Sequence, residues 1–141
     1  MQKAFDSELE RLLDGYGGTL LLAVSGGVDS MTMLHLAHCS SLQRPLAVAH
    51  VNFSLREGDC DRDEELVRSA CAQWGIAFYT KKFDTRAYAA QNGVSIEMAA
   101  RELRYGWFSE LMETEGFGRL LVAHHKGDAA ETMLLNLVRG T

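Results

Sequence analysis

The stretch that decides the fold is "LLAVSGGVDSMTML", residues 21–34. It begins as a continuous apolar run, typical of a buried parallel strand, and ends with apolar residues at helical spacing. Between the two patterns lie adjacent glycines, Gly26 and Gly27, which allow a sharp turn and a close approach of backbone to a ligand. The free N–H groups of the following helix start then face that ligand. The stretch therefore predicts a strand, an anion-binding turn and a helix.

The polar residues of this turn favour a nucleotide with bound Mg²⁺ over bare phosphate. Ser25 and Ser30 add hydroxyl donors, whereas Asp29 would repel a phosphate unless a cation offset its charge. Neither a Walker A sequence nor G-x-G-x-x-G follows the first strand, which disfavours a P-loop NTPase and a dinucleotide enzyme. The structural alternative is that the glycines form only a tight turn and that Ser25 or Asp29 caps the helix.

The rest of the chain alternates strand and helix patterns, which predicts an α/β fold. Besides the first strand at 20–24, we expect strands in the apolar runs 46–51, 76–80 and 120–123. Right-handed crossovers favour a doubly wound, Rossmann-like parallel sheet of order 3-2-1-4 with helices on both faces. The first and fourth strands then lie side by side, and the polar residues after them line one crevice.

Capping signals predict where several helices begin and end. Asp61 and Glu64 have capping-box spacing, and Ser95 can cap a longer helix. A last helix is predicted over Thr132–Val138, with Gly140 as the residue that ends it. Because a doubly wound domain normally continues into another strand, we expect the domain over 1–141 to be incomplete at its carboxyl end.

Composition limits the class of protein. A chain of 141 residues, 47% apolar, suits one domain, and its formal charge of −5 argues against a broad nucleic-acid surface. A charged N-terminus and the lack of a long apolar run predict a cytoplasmic protein without a membrane segment. The three cysteines, Cys39, Cys60 and Cys71, have neither disulfide-framework nor metal-cluster spacing.

Four motifs resemble known families. Residues 25–30 read S-G-G-x-D-S, similar to the pyrophosphate-binding loop of the PP-loop ATP pyrophosphatases, which activate oxygen atoms as adenylates. The stretches "AHVNFSLREGDCDRDEELV" from Ala49, "SIEMAARELRYGWF" from Ser95 and "AHHKGDAAETMLLNLVRGT" from Ala123 resemble, in order and spacing, the catalytic domain of the tRNA(Ile)-lysidine synthetase family.

The resemblance implies an activity, cofactors and partners. It implies a ligase that uses ATP and Mg²⁺, adenylates C2 of the wobble cytidine in the CAU anticodon of tRNA(Ile), and lets free L-lysine displace AMP. It also implies further C-terminal domains that bind tRNA outside these residues, and it leaves a homodimer open. Cytoplasmic tRNA processing is the expected setting.

The resemblance also implies roles for individual residues. Those matching the ATP-binding positions are Ser25, Gly26, Gly27, Val28, Asp29, Ser30, His50 and Asn52, with Asp29 as the Mg²⁺ partner. Those matching catalytic positions are Asp29, Arg101, Asp128 and Glu131, and those matching substrate-binding positions are His124, His125 and Arg104. Structural alternatives remain for His50 as a packed strand-end residue, for Arg101 in an i,i+4 pair with Glu97, and for Asp128 and Glu131 as helix caps.

The sequence departs from this family in the fourth-strand motif and after the second strand. Gly127 and Ala129 replace an aspartate and a glutamine, and Phe53 stands where histidine is more usual. Three other functions stay open: a tRNA-thiolating enzyme, which would need close cysteine pairs, an amidating synthetase making NAD or GMP, and a nucleotide-binding module without turnover.

Overall fold

The computed structural model describes residues 1–55, 59–125 and 133–140. The helices of this part are α1 (Gln2–Leu13), α2 (Val28–His38), α3 (Asp59–Trp74), α4 (Thr85–Asn92) and α5 (Ile96–Glu115). The strands are β1 (Leu20–Ala23), β2 (Leu46–Asn52), β3 (Ala77–Lys82), β4 (Arg119–His125) and β5 (Met133–Arg139). No helix within these residues is long and apolar enough to cross a membrane.

The strands form one sheet in the order β3-β2-β1-β4-β5. The first four are parallel, and Leu22 of β1 lies opposite Val48 on one side and Leu121 on the other. The predicted order 3-2-1-4 is therefore confirmed, and β1 lies beside β4 where the winding reverses. Their carboxyl ends consequently open at the same edge of the sheet.

The predicted last helix is wrong. Within the predicted segment 132–138, the residues that the structure describes form strand β5, antiparallel to β4. Leu135 and Leu137 pack against the core, whereas Leu134 and Asn136 are exposed, so the run follows a period of two. A short apolar run is compatible with the period of a helix or of a strand. Pairing with β4 provides hydrogen-bond partners for the backbone groups of both strands. Gly140 accordingly follows a strand and donates its N–H to Gly118 O at 2.9 Å.

Two helix starts also differ from the sequence prediction, and one agrees. Helix α3 begins at Asp59, so Asp61 lies inside its first turn and is not the N-cap. Helix α4 was not predicted, although Asp84 caps it by accepting the Ala87 N–H at 3.1 Å. Ser95 caps α5 as predicted.

The core lies on both faces of β1. Leu20, Leu22 and Val24 belong to a cluster formed with α1, α2 and α3, whereas Leu21 and Ala23 belong to a cluster formed with α5. Side chains alternate between faces along a strand, so an entirely apolar strand is buried on both. The carboxyl end of β1 is therefore held firmly where the next segment begins.

Candidate functional site

The glycine loop, residues 25–30, connects β1 to α2 and is organised around the Ser30 hydroxyl. Ser30 is 6% exposed, and its Oγ accepts the N–H groups of Ser25 at 3.0 Å and Gly26 at 3.2 Å. The same oxygen lies 3.0 Å from Ser25 Oγ and 3.2 Å from Gly27 O. Ser30 therefore holds the loop together from within, and the more exposed Ser25 is the hydroxyl that faces outward.

The two glycines have different surroundings. Gly26 has φ of +96°, in the region that favours glycine, and a Cβ built on it would lie 2.9 Å from Asp63 Cβ of α3. Gly27 is the N-cap of α2 with φ of −75°, and among the described residues a Cβ there would meet only Ser25 Oγ, at 3.4 Å. Gly26 is thus required by the fold, whereas the described residues leave space over Gly27 for a ligand.

A shallow pocket lies over the start of α2. It is lined by Ser25, Gly27, Val28, Asp29, Ser30, Ala123 and His124. The structure therefore brings the loop after β1 and the end of β4 together, as the sheet order predicts. The backbone N–H groups at the start of a helix point into the space in front of its N-terminus, and they favour an anion in that space. This pocket is the candidate phosphate site.

An apolar slot adjoins this pocket on the α5 side of the sheet. Its lining comprises Ala23, Val24, Ser25, Ser30, Ala49, Val51, Phe53, Arg104, Phe108, Val122 and Ala123. Ser25, Ser30 and Ala123 line both spaces, so a molecule in the slot can reach the glycine loop. A slot with apolar walls and a few polar groups is typical of a small-molecule site.

Arg104 and Arg101, both in α5, are placed differently. The Arg104 guanidinium lies 5.1 Å from the Tyr105 ring centroid and 5.6 Å from that of Phe108, and Arg104 lines the slot. Arg101 is exposed and lines neither described pocket. In the described part of the chain no ion pair within 4 Å joins Arg101 to Glu97, so their expected i,i+4 pair is not formed.

His50, an expected nucleotide ligand, lies on the opposite face of the sheet from the slot. The ring is 2% exposed, and its Nδ1 donates to Val24 O at 2.8 Å. Its neighbour Val51 lines the slot instead, because successive strand residues face opposite sides. His50 therefore binds the protein backbone beside the glycine loop, and its expected role toward the nucleotide stays a prediction.

Asn52 is likewise occupied by protein groups. It is 1% exposed, and its amide donates to Asp61 Oδ1 at 2.8 Å and, at a longer 3.5 Å, to Glu64 Oε1. Its Oδ1 accepts the Ser54 N–H at 3.0 Å. Asn52 therefore ties the end of β2 to α3, and the adjacent Phe53 takes the position facing the slot.

The fourth-strand motif is described only in part. His124, the penultimate residue of β4, is exposed and lines the candidate phosphate site. His125 belongs to the same strand. Asp128 and Glu131, with the departures Gly127 and Ala129, lie outside the described residues. Their expected catalytic roles stay predictions.

Sequence reasoning missed two contributors to the site. Asp63 packs against Gly26, and Phe108 forms a wall of the slot. The one-turn spacing from Arg104 to Phe108 on α5 is a signal that could have indicated Phe108. No sequence signal indicates Asp63, since its contact depends on how α3 crosses the loop.

The donors at the site fit a Mg²⁺ ion that arrives with a nucleotide. Among the described residues, no group of three or more His, Cys, Asp or Glu side chains could hold a metal ion. Nucleotide-bound Mg²⁺ typically takes one or two carboxylates, and phosphates and waters complete its shell. Asp29, in the first turn of α2 and lining the candidate phosphate site, is positioned to supply one carboxylate.

Comparison with curated proteins finds relatives that cover most of this chain. This chain is 48% identical over 122 residues to a tRNA(Ile)-lysidine synthase of Bacteroides thetaiotaomicron, and the aligned region covers 86% of this chain and 28% of the relative. The chain is also 48% identical over 126 residues to a tRNA(Ile)-lysidine synthase of Chlorobaculum tepidum, and that alignment covers 88% of this chain and 38% of the relative. The chain thus spans less than half the length of either relative.

Solved structures share the fold at low identity. An NH3-dependent NAD synthetase from Campylobacter jejuni matches with a TM-score of 0.66 at 13% identity, over 86% of this chain and 53% of that one. The U34-tRNA thiolase NcsA from Methanococcus maripaludis matches with a TM-score of 0.64 at 17% identity, and the match covers 87% of this chain and 45% of the thiolase chain.

A family comparison gives the family of this chain. The PP-loop domain family matches residues 1–141 in full. The chain therefore belongs to the PP-loop domain family, as the S-G-G-x-D-S loop at the end of β1 indicates.

Proposed function

We propose that this chain is the ATP-binding catalytic domain of a ligase that joins L-lysine to C2 of the wobble cytidine in tRNA(Ile) with the CAU anticodon. The observation that carries this proposal is the glycine loop beside the end of β4, in a chain 48% identical to proteins named tRNA(Ile)-lysidine synthase. Further C-terminal domains that bind tRNA, and a cytoplasmic setting, are part of the same proposal.

ATP binding follows from the two adjoining spaces. The triphosphate lies over Gly27 and the start of α2, where helix N–H groups and the Ser25 hydroxyl donate to phosphate oxygens. The adenine ring lies in the apolar slot beside Phe53 and Phe108. Mg²⁺ held with the help of Asp29 neutralises charge on the phosphates when bound.

The reaction consists of two displacements that use the same geometry. The O2 atom of the cytidine attacks the α-phosphorus of ATP, and pyrophosphate leaves from its place over the glycine loop. The lysine amine then attacks C2, the C2–oxygen bond breaks, AMP leaves, and the amine loses a proton. The N–H groups at the start of α2, which the Ser30 network holds in place through its bonds to Ser25 and Gly26, stabilise the departing pyrophosphate because they need no reorganisation.

Arg104 and His124 each line one of the two adjoining spaces. Arg104 is held over Phe108 at the slot, and His124 lines the phosphate site at the end of β4. We propose that both contact the nucleotides, Arg104 through its guanidinium donors. Lysine selection is assigned in this proposal to Asp128 and Glu131, which follow β4 in the chain.

The test assays the two half-reactions separately with the full-length protein. Pyrophosphate release is measured with tRNA(Ile) carrying CAU and with the same tRNA carrying another anticodon, followed by transfer of labelled lysine. The proposal predicts CAU-dependent pyrophosphate release and lysine incorporation. Adenylation with preference for another amine would reject the lysine assignment alone. ATP consumption with a free nucleotide and ammonia, without tRNA, would replace the proposal by a small-molecule amidating synthetase.

A further inference from the structure

The backbone ladder between β1 and β2 ends just before the glycine loop. Its last pair is Ala23 opposite Ala49, and the Val24 N–H still donates to Ala49 O at 3.0 Å. The next bond comes from a side chain, since His50 Nδ1 donates to Val24 O at 2.8 Å. A carbonyl only accepts, so Nδ1 carries the proton. Val24 is thus held by β2 through both its N–H and its C=O.

This bond acts on the first peptide unit of the loop. The C=O of Val24 and the N–H of Ser25 belong to one planar unit. His50 binds the carbonyl end, while the N–H end donates to Ser30 Oγ at 3.0 Å. Rotation of this plane would break both bonds and would displace the Gly26 N–H from the same hydroxyl at 3.2 Å. We propose that His50 is a positioning residue that sets the orientation of the glycine loop for ATP.

The burial of His50 supports a role beyond packing. Its ring is 2% exposed, and its Nε2 has no hydrogen-bond partner among the described residues. An unpaired buried nitrogen lowers stability, and an apolar residue would avoid that cost. Val48, two residues earlier on the same face, is such a residue at 0% exposure. The bond to Val24 is the feature of His50 that an apolar side chain could not replace.

The experiment compares His50→Leu with Val48→Ala in this chain. Both variants disturb the same face of β2, but only the first removes the bond to the loop. Unfolding free energy is measured by urea titration and Mg-ATP affinity by calorimetry. We expect about three- to tenfold weaker ATP binding in His50→Leu, partial recovery in His50→Gln, which keeps an N–H donor, and unchanged affinity in Val48→Ala.

Two outcomes would overturn the inference. One is His50→Leu with reduced stability and wild-type ATP affinity; the other is an equal loss of affinity in Val48→Ala, which would make the effect one of general packing. The inference rests on the proposed ATP binding at this loop. Wild-type protein that does not bind ATP rejects that function, whereas wild-type affinity in His50→Leu rejects the positioning role alone.

A second measurement applies even where His50→Leu does not fold. In wild-type protein, ATP should slow the exchange of the His50 Nδ1 proton together with the amide protons of Ser25 and Gly26, because coupling between sites is reciprocal. The amide protons can be followed by NMR alongside the imidazole proton. Protection of the two amides with no change at the His50 proton would contradict the inference.

Discussion

Gly26 and Gly27 are adjacent in the chain, yet a side chain would meet different obstacles at each. At Gly26 an added Cβ lies 2.9 Å from Asp63 Cβ, and φ of +96° strains any L-residue. At Gly27 the backbone has an ordinary φ, and in the part of the chain that the structure describes the atom nearest to an added Cβ is Ser25 Oγ at 3.4 Å. The first glycine therefore serves the fold, and the second keeps space for a ligand.

This difference predicts opposite outcomes for two alanine substitutions. Gly26→Ala should lower the free energy of unfolding by about 2 kcal/mol or more, from left-handed strain and the contact with Asp63. Gly27→Ala should change it by less than about 1 kcal/mol. Urea unfolding of both variants is the measurement. Equal losses would mean that the loop adopts another conformation in solution.

Asp29 predicts a metal-dependent effect on nucleotide binding. Asp29→Asn should weaken ATP affinity much more in Mg²⁺ than in EDTA, since the carboxylate helps only when a cation is present. Without Mg²⁺, the substitution removes the repulsion between the Asp29 carboxylate and the ATP phosphates, so ATP affinity should stay equal or improve. Calorimetric titration under both conditions is decisive: a loss of the same size with and without metal would assign Asp29 to a structural role.

At the scale of the elements, hydrophobic periodicity is sufficient to predict the strands whose side chains are buried on both faces of the sheet. The run from Leu20 to Val24 and the run in β2 were predicted as strands because each is continuously apolar, and the sheet order followed from crossover rules. The α5 start was predictable because Ser95 carries its own local cap. Strands buried on both faces and helix starts with a side-chain cap can thus be predicted from the sequence.

Elements and side chains whose position depends on tertiary contacts were not predictable in the same way. β5 was expected to be a helix, since a short apolar run does not show which partner it will pair with. The family resemblance implies that His50 and Asn52 face the nucleotide, but the face that each side chain occupies depends on the register of β2. The contact of Asp63 with Gly26 depends on the path of α3.

The register of β2 makes Phe53 a testable part of the nucleotide site. If the base lies in the slot as proposed, Phe53→Ala should weaken ATP binding about tenfold, because the substitution removes an aromatic side chain that lines the slot. Phe83→Ala is the matched control, since Phe83 is also half-buried but does not line the slot. Affinities of the two variants are compared by calorimetry. A larger loss from Phe83→Ala would place the base elsewhere.

At the scale of the whole molecule, the acidity of this chain bears on the proposed tRNA substrate. The formal charge of −5 argues against a broad phosphate-binding surface on these residues, and affinity for tRNA normally depends on contacts from Lys and Arg. We expect that residues 1–141 alone form no lysidine, whereas the full-length protein does. Lysine incorporation by the isolated chain at the full-length rate would show that further domains are not needed.

ATP binding by this chain is the claim on which the rest of the account depends. The most direct measurement is the melting temperature of residues 1–141 across a wide range of Mg-ATP, for wild type and Gly27→Ala. At 100 times Kd the linkage gain is about 2.7 kcal/mol, which should raise Tm by roughly 8 °C in wild type. Gly27→Ala should fold but show little or no shift, because its Cβ occupies the space of a phosphate. An unchanged Tm of wild type over the whole range, or an equal shift in Gly27→Ala, would contradict the account.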